Sequence, residues 1–70
     1  MTEREFISEF KARNPNTSLK IGTLMAIYDE IRYYAFAALE NYFEFMKHIG
    51  IITIGEYLDL CEFTRQIKVQ

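Results

Sequence analysis

Few side chains in this sequence could take part in covalent or metal chemistry. The chain has one cysteine, Cys61, and one histidine, His48, so an internal disulfide is impossible and a structural zinc site lacks ligands. Glu44 and His48 stand four residues apart and could act as two metal ligands or as an acid–base pair. No third ligand is spaced to join them, so we interpret His48 as an exposed imidazole at a helix end. Cys61, between Leu60 and Glu62, has no adjacent base and is interpreted as a packed core thiol.

The other motifs that accompany catalysis are missing from the sequence. No glycine-rich phosphate loop, no pair of inward carboxylates and no Ser/His/Asp set can be assembled from it. Seventy residues also leave little room for a pocket and the surrounding residues that catalysis needs. We therefore expect a protein that is not an enzyme and that binds no cofactor and no metal.

The size and composition indicate one small folded domain covering residues 1–70. Hydrophobic residues make up 50% of the chain and aromatic residues 16%, which argues against disorder. The sequence has no uncharged apolar run of the roughly 18 residues that a membrane span needs. Its first residues lack the basic start and apolar stretch of a signal peptide, and its lone thiol suits a reducing compartment. We expect a cytoplasmic protein.

Charge is distributed unevenly along the chain. The formal net charge is −2, but residues 21–64 carry seven acidic and two basic groups, a balance of −5. An acidic body repels nucleic-acid phosphates. The alternative is a dimeric DNA-binding transcriptional regulator with a helix-turn-helix-like N-terminal half, whose basic groups would be Arg4, Lys11, Arg13 and Lys20. We consider it less favoured, because the candidate recognition helix over 17–29 offers few polar side chains for base edges.

Helix-start and helix-stop signals predict an all-α, three-helix domain with one long central helix. Thr2 to Glu5 is a capping box for a first helix over about 2–13, which Asn14-Pro15 ends. The central helix starts near residue 17 or 23 and runs to 49, where Gly50 suits a left-handed helix end. Thr53 to Glu56 is a second capping box and opens a third helix over about 53–67.

The segment that joins the last two predicted helices carries one family resemblance. Residues 50–57, which include Gly50, Thr53, Glu56 and Tyr57, resemble the helix start of short oligomerising helical domains such as SHOCT. The likeness covers about a tenth of the chain and departs from that pattern at Gly55. Any capped helix after such a turn gives the same pattern, so we assign no family from it.

The central helix is the most informative predicted element. Its main apolar stripe follows alternating steps of four and three residues, and a second stripe beside it comprises Met25, Phe36, Leu39, Phe43 and Met46. A helix over 23–49 would be about 40 Å long, too long for a round 70-residue fold to cover. We therefore expect a second copy to pair with it in a helical-bundle homodimer. The self-association residues would be Tyr28, Ile31, Ala35, Ala38, Tyr42 and Phe45.

The polar arc of the central helix and its edges are the predicted partner-binding face. Exposed tyrosines beside an arginine are typical interface anchors, and the surrounding carboxylates would suit a basic partner. We expect a small protein–protein interaction module that acts stoichiometrically as an adaptor, regulator or inhibitor. Tyr33 should be dispensable for folding, whereas Tyr42 and Phe45 should be structural. The predicted partner-binding residues are Tyr33, Tyr34, Arg32, Asp29, Glu30, Glu40 and Glu44.

Overall fold

The computed structural model describes residues 1–69, and within them it contains four helices and no strand. The all-helical prediction is confirmed, but the prediction of three helices with one long central helix is wrong. The chain leaves the helical conformation at Tyr34 and Ala35, so the central helix is two helices. The helices are α1 (Glu3–Arg13), α2 (Ile21–Tyr33), α3 (Phe36–His48) and α4 (Ile54–Lys68).

The predicted starts of α1 and α4 are confirmed, because both open with a complete capping box. The Thr2 hydroxyl accepts from the Glu5 amide at 3.1 Å, and the Glu5 carboxylate accepts from the Thr2 amide at 2.8 Å. Thr53 and Glu56 repeat the pattern at 3.0 and 2.8 Å. Each box satisfies two backbone donors that a helix start otherwise leaves unpaired.

The end of α3 is the left-handed glycine turn that the sequence predicts. Gly50 has a φ of +82°, a conformation that side chains with a Cβ rarely adopt. Its amide donates to the Lys47 carbonyl at 3.1 Å, and the Ile51 amide donates to the Met46 carbonyl at 2.9 Å. These two bonds form a Schellman motif, which turns the chain from α3 into α4.

The break between α2 and α3 contains neither glycine nor proline. Tyr34 and Ala35 are extended, with ψ angles of 154° and 157°, and Ala35 caps α3 without a side-chain hydrogen bond. A continuous helix over 23–49 would be about 40 Å long, whereas the longest dimension of the fold is 28 Å. Breaking the helix lets α2 and α3 both pack against α4. Tertiary burial thus overrides the local helix propensity of this segment.

The start of α2 also differs from the two predicted positions. The helix begins at Ile21 after Lys20, which makes no side-chain cap. Thr17, one of the predicted caps, instead donates its hydroxyl to the buried carboxylate of Glu56 on α4. The Leu19 amide donates to the Thr17 hydroxyl at 3.2 Å. The segment between α1 and α2 is therefore tied to α4 rather than wound into helix.

The break changes which apolar stripe is buried. On α2 the main stripe is buried through Leu24, Tyr28 and Ile31. On α3 the second stripe is buried instead, through Leu39, Phe43 and Met46. The main-stripe residues of α3 are left on the surface, so Tyr42 and Phe45 are not part of the core of the single chain, and their structural role stays a prediction for the homodimer. Their exposed fractions are 39% and 59%.

The centre of the core is a cluster of aromatic rings shared by α1, α2 and α4. Phe6 packs edge-on against Phe63 with ring centroids 5.3 Å apart, and Phe10 and Tyr28 flank the pair. The Tyr28 hydroxyl donates to the Met1 carbonyl at 2.9 Å, which satisfies its polar end. This core fixes α2 in place, so that its last turn and the break project from one side of the fold.

Candidate functional site

The break displays two neighbouring tyrosines at the end of α2. Tyr33 is 86% exposed and Tyr34 is 57% exposed, the second on extended backbone that turns its side chain out of the helix. Large aromatic side chains carry much apolar surface, and exposing them to water is unfavourable unless a partner covers them. We refer to Asp29, Glu30, Arg32, Tyr33 and Tyr34 as the corner surface.

A pocket opens where the corner surface meets the first turns of α3. Its volume is about 300 Å³, and its floor includes the buried side chain of Leu39. One wall comes from α2 and the break, and the other comes from α3. Ala38 has a short side chain at this position, so a larger residue there would extend into the pocket. The lining residues are Glu30, Tyr34, Ala38, Leu39 and Tyr42.

Within the part of the chain that the structure describes, the carboxylates of the corner surface form no ion pair. Within residues 1–69 no lysine or arginine lies within ion-pair distance of Asp29 or Glu30. Arg32, the basic residue of this surface, is exposed and has its guanidinium carbon 6.0 Å from the centre of the Tyr28 ring. Partial burial raises the pKa of Tyr42, and the negative charge of Glu30 raises that pKa further. The pocket therefore has an acidic rim and an aromatic wall.

A strip of exposed apolar side chains continues along α3 from this pocket. Ala38, Tyr42, Phe45 and Ile49 follow steps of four, three and four residues, which place them on one face of the helix. Phe45 is 59% exposed and Ile49 is 49% exposed. We call these four residues the α3 strip.

Two of the predicted partner-binding residues lie outside the corner surface. The Glu44 carboxylate pairs with the Lys47 ammonium at 3.0 Å, and the hydrogen bond from Lys47 lowers the pKa of Glu44. Lys47 also lies 4.6 Å from the centre of the Tyr57 ring on α4. Burial raises the pKa of the Cys61 thiol on α4, and the negative charge of the exposed Glu40 raises that pKa further. Both carboxylates thus face the α3–α4 side of the fold.

The predicted self-association residues are also divided by the break. Tyr28 and Ile31 lie in the core of the single chain, where a second copy could not reach them. Ala35, Ala38 and Phe45 are exposed on or beside α3. The surface available to a second copy is therefore shorter than the sequence predicts.

The structure also locates the residues that could take part in metal or thiol chemistry. In the part of the chain that the structure describes, no three His, Cys, Asp or Glu side chains are placed to hold a metal ion. Burial raises the pKa of the Cys61 thiol. Burial and the nearby thiol raise the pKa of Tyr57 to about 12. Cys61 is thus an un-ionised thiol in the packed core at neutral pH, a state that disfavours nucleophilic reactivity.

Sequence reasoning missed two residues that matter here. Leu39, counted among the second apolar stripe, forms part of the pocket floor. Glu56, read as a capping residue, is buried and also binds Thr17, 39 positions earlier in the chain. The spacing of four between Glu30, Tyr34, Ala38 and Tyr42 was a signal for one shared surface. The spacing does not predict that the backbone bends this surface into a pocket.

Comparison with known proteins assigns no relative to this chain. No protein-family model matches it, and no curated protein or solved structure matches it. Among residues 1–69, none of the helices combines the length and apolar character that crossing a membrane requires.

Proposed function

We propose that this protein is a small, non-enzymatic interaction module of the cytoplasm that binds a basic surface of another protein through the corner surface. It acts stoichiometrically, as an adaptor, regulator or inhibitor does, by occupying that surface. The observation that carries the proposal is the placement of two exposed tyrosines, Tyr33 and Tyr34, beside two carboxylates, Asp29 and Glu30, that form no ion pair within residues 1–69.

Aromatic side chains supply the binding energy in this proposal. Tyrosine is enriched among the residues that dominate protein interfaces, because it buries a large rigid surface and keeps a polar end. Tyr33 and Tyr34 line a shallow hollow together with Asp29 and Glu30. A partner side chain that enters this hollow contacts both rings and a carboxylate at once.

The carboxylates supply the preference for a basic partner. A charge that is already paired within its own protein has less attraction left for a partner. Asp29 and Glu30 remain free within the described residues, whereas Glu44, Asp59 and Glu62 are each paired with Lys47 or Arg13. Unpaired surface charge steers association and excludes partners of the same sign. The unpaired carboxylates of the corner surface therefore favour a partner protein with a basic surface.

We also propose the predicted homodimer, in which a second copy binds the same side of the molecule. Phe45 and Ile49 lie about 10 and 16 Å along α3 from Ala38, calculated at 1.5 Å per residue. A second copy that packs on these two side chains leaves the pocket at the N-terminal end of α3 open. Light scattering should then give twice the 8.3 kDa chain mass, with a return to the single-chain mass in Phe45→Glu.

The proposal is tested by affinity capture with the full chain from its native host. The test variant is Asp29→Asn with Tyr33→Ala, and the matched control is Leu58→Ala, an exposed apolar residue on α4. The test variant should keep its melting temperature, because Tyr33 is 86% exposed. We expect proteins that elute with salt to be captured by the wild type and the control and lost with the test variant.

Two outcomes would contradict the proposal. The first is capture of the same proteins by the wild type and by the test variant. The second is salt-dependent retention of the protein on DNA that the double substitution leaves unchanged. That result would favour the DNA-binding alternative, since phosphate contacts would come from Lys and Arg side chains rather than from the corner surface.

A further inference from the structure

We infer that the pocket of Glu30, Tyr34 and Tyr42 holds the guanidinium group of a single arginine side chain from the partner protein. This inference rests on the proposed function and specifies the group that the partner presents. It names a binding site for one cationic side chain, in addition to the wider contact made by the corner surface.

The chemistry of the pocket wall fits a guanidinium group. A planar cation is attracted to the faces of aromatic rings, and Tyr34 and Tyr42 supply two rings at one opening. The Glu30 carboxylate, which lines the same pocket, can accept two parallel N–H bonds from an arginine fork. Arginine fits this combination better than lysine, because its guanidinium is flat and weakly hydrated, whereas an ammonium is compact and strongly hydrated.

The size of the pocket also fits one side chain. Its volume of about 300 Å³ lies at the lower limit of small-molecule sites, which range over about 300–1,000 Å³. The floor of Leu39 and Ala38 is apolar, which suits the methylene stem of a long basic side chain. The two tyrosine rings and the Glu30 carboxylate then contact the charged guanidinium end of that side chain.

The protein does not fill this pocket with a cation of its own. Within residues 1–69 no basic side chain pairs with Glu30. The basic residue nearest in sequence, Arg32, lies over the Tyr28 ring and lines a neighbouring hollow with Asp29 and Tyr33. Glu30 is therefore available to pair with a cation that a partner supplies.

The test is a titration of the ¹⁵N-labelled full chain with N-acetyl-arginine methylamide, followed by two-dimensional NMR. N-acetyl-citrulline methylamide, which has nearly the same shape and no charge, is the control probe. We expect saturable shifts of the Tyr34, Ala38 and Tyr42 amides with the arginine probe and much smaller shifts with the citrulline probe. The lysine analogue should bind more weakly than the arginine probe.

Three variants separate the pocket from general surface charge. Glu30→Gln should weaken the arginine probe about tenfold or more, because the charge-assisted bonds are lost. Ala38→Leu keeps the charge but fills the pocket, and it should abolish the shifts. Glu40→Gln, an exposed carboxylate on α3 outside the pocket, is the matched control and should leave binding unchanged. Retained amide dispersion in each spectrum shows that the variant is folded.

Several results would overturn the inference. They are an absence of saturable shifts at the pocket amides, equal shifts with citrulline, or unchanged binding in Ala38→Leu.

These outcomes are distinct from failure of the proposed function. If the Asp29→Asn/Tyr33→Ala variant loses its partner but the arginine probe does not bind, the corner surface is used without this pocket. If the probe binds but capture is unaffected by that variant, the pocket exists and the proposed interface is wrong.

Discussion

Replacing Ala35 with proline tests whether the helix is broken between α2 and α3. The substitution should stabilise the protein if the break exists and destabilise it if the helix is continuous. Proline fixes φ near −65°, and it pushes the preceding residue into extended backbone. Ala35 already has a φ of −70°, and Tyr34 before it is extended with a ψ of 154°. The Ala35 amide donates to no acceptor in the part of the chain that the structure describes. Its side chain is exposed, so the ring has room.

The magnitude follows from these angles. A proline at a position that already has proline geometry restricts the unfolded chain and stabilises a protein by about 0.4–1 kcal/mol. If the helix ran unbroken through residue 35, proline would remove a helical hydrogen bond and clash with the preceding turn, at a loss of about 3 kcal/mol or more. The two descriptions thus differ by about 4 kcal/mol, a large part of the roughly 5–15 kcal/mol stability of a small domain.

Urea unfolding followed by helical circular dichroism measures this difference. We expect Ala35→Pro to unfold at an equal or higher urea concentration with native helicity. The matched control is Ala26→Pro, also an exposed alanine but inside α2, which should lose about 3 kcal/mol or unfold. Equal losses in the two variants would refute the break, and the pocket would lose its structural basis with it.

Two further predictions use matched pairs of residues within the fold. Glu56→Ala should destabilise the protein by about 2–3 kcal/mol, because a buried carboxylate loses its bonds to the Thr53 amide and the Thr17 hydroxyl. Glu5→Ala removes the same capping bond at the exposed start of α1 and should cost much less, so equal losses in urea would contradict the linking role of Glu56. Phe43→Ala should cost about 3–5 kcal/mol because Phe43 is fully buried within the single chain. Phe45→Ala should cost much less when both variants are measured at concentrations where light scattering gives the single-chain mass, and an equal loss there would mean that the chain itself covers Phe45.

The helix ends were predictable from the sequence because they depend on contacts between near neighbours. A capping box joins residues three apart, and the turn at Gly50 joins residues within one helical turn. Each of these signals can be read from a short segment without knowledge of the rest of the fold. The structure has all three of them where the sequence predicts.

The break at Tyr34 and Ala35 was not predictable on the same grounds, because its cause is distant in sequence. Alanine favours helix, and no proline or glycine marks the site. The deciding contacts are those of α2 and α3 with α4, which begins almost twenty residues later. The buried bond between Thr17 and Glu56 is of the same kind, since it joins positions 39 apart. Periodicity identifies which residues can share a face but not which face the tertiary fold covers.

The break is also what turns a helix surface into a candidate site. Glu30, Tyr34, Ala38 and Tyr42 follow one another at steps of four, so on an unbroken helix they would form a convex ridge about 18 Å long. A convex ridge can pack against another protein surface but cannot enclose a side chain. Extended backbone at Tyr34 and Ala35 folds the ridge, and the same four side chains then surround a concave space of about 300 Å³.

The four residues could be identified from the sequence. What they can bind together depends on whether the backbone makes their shared surface convex or concave. On a ridge the Glu30 carboxylate is one solvated charge among several, whereas in the pocket it shares an opening with two aromatic rings, the combination on which the proposed guanidinium site depends.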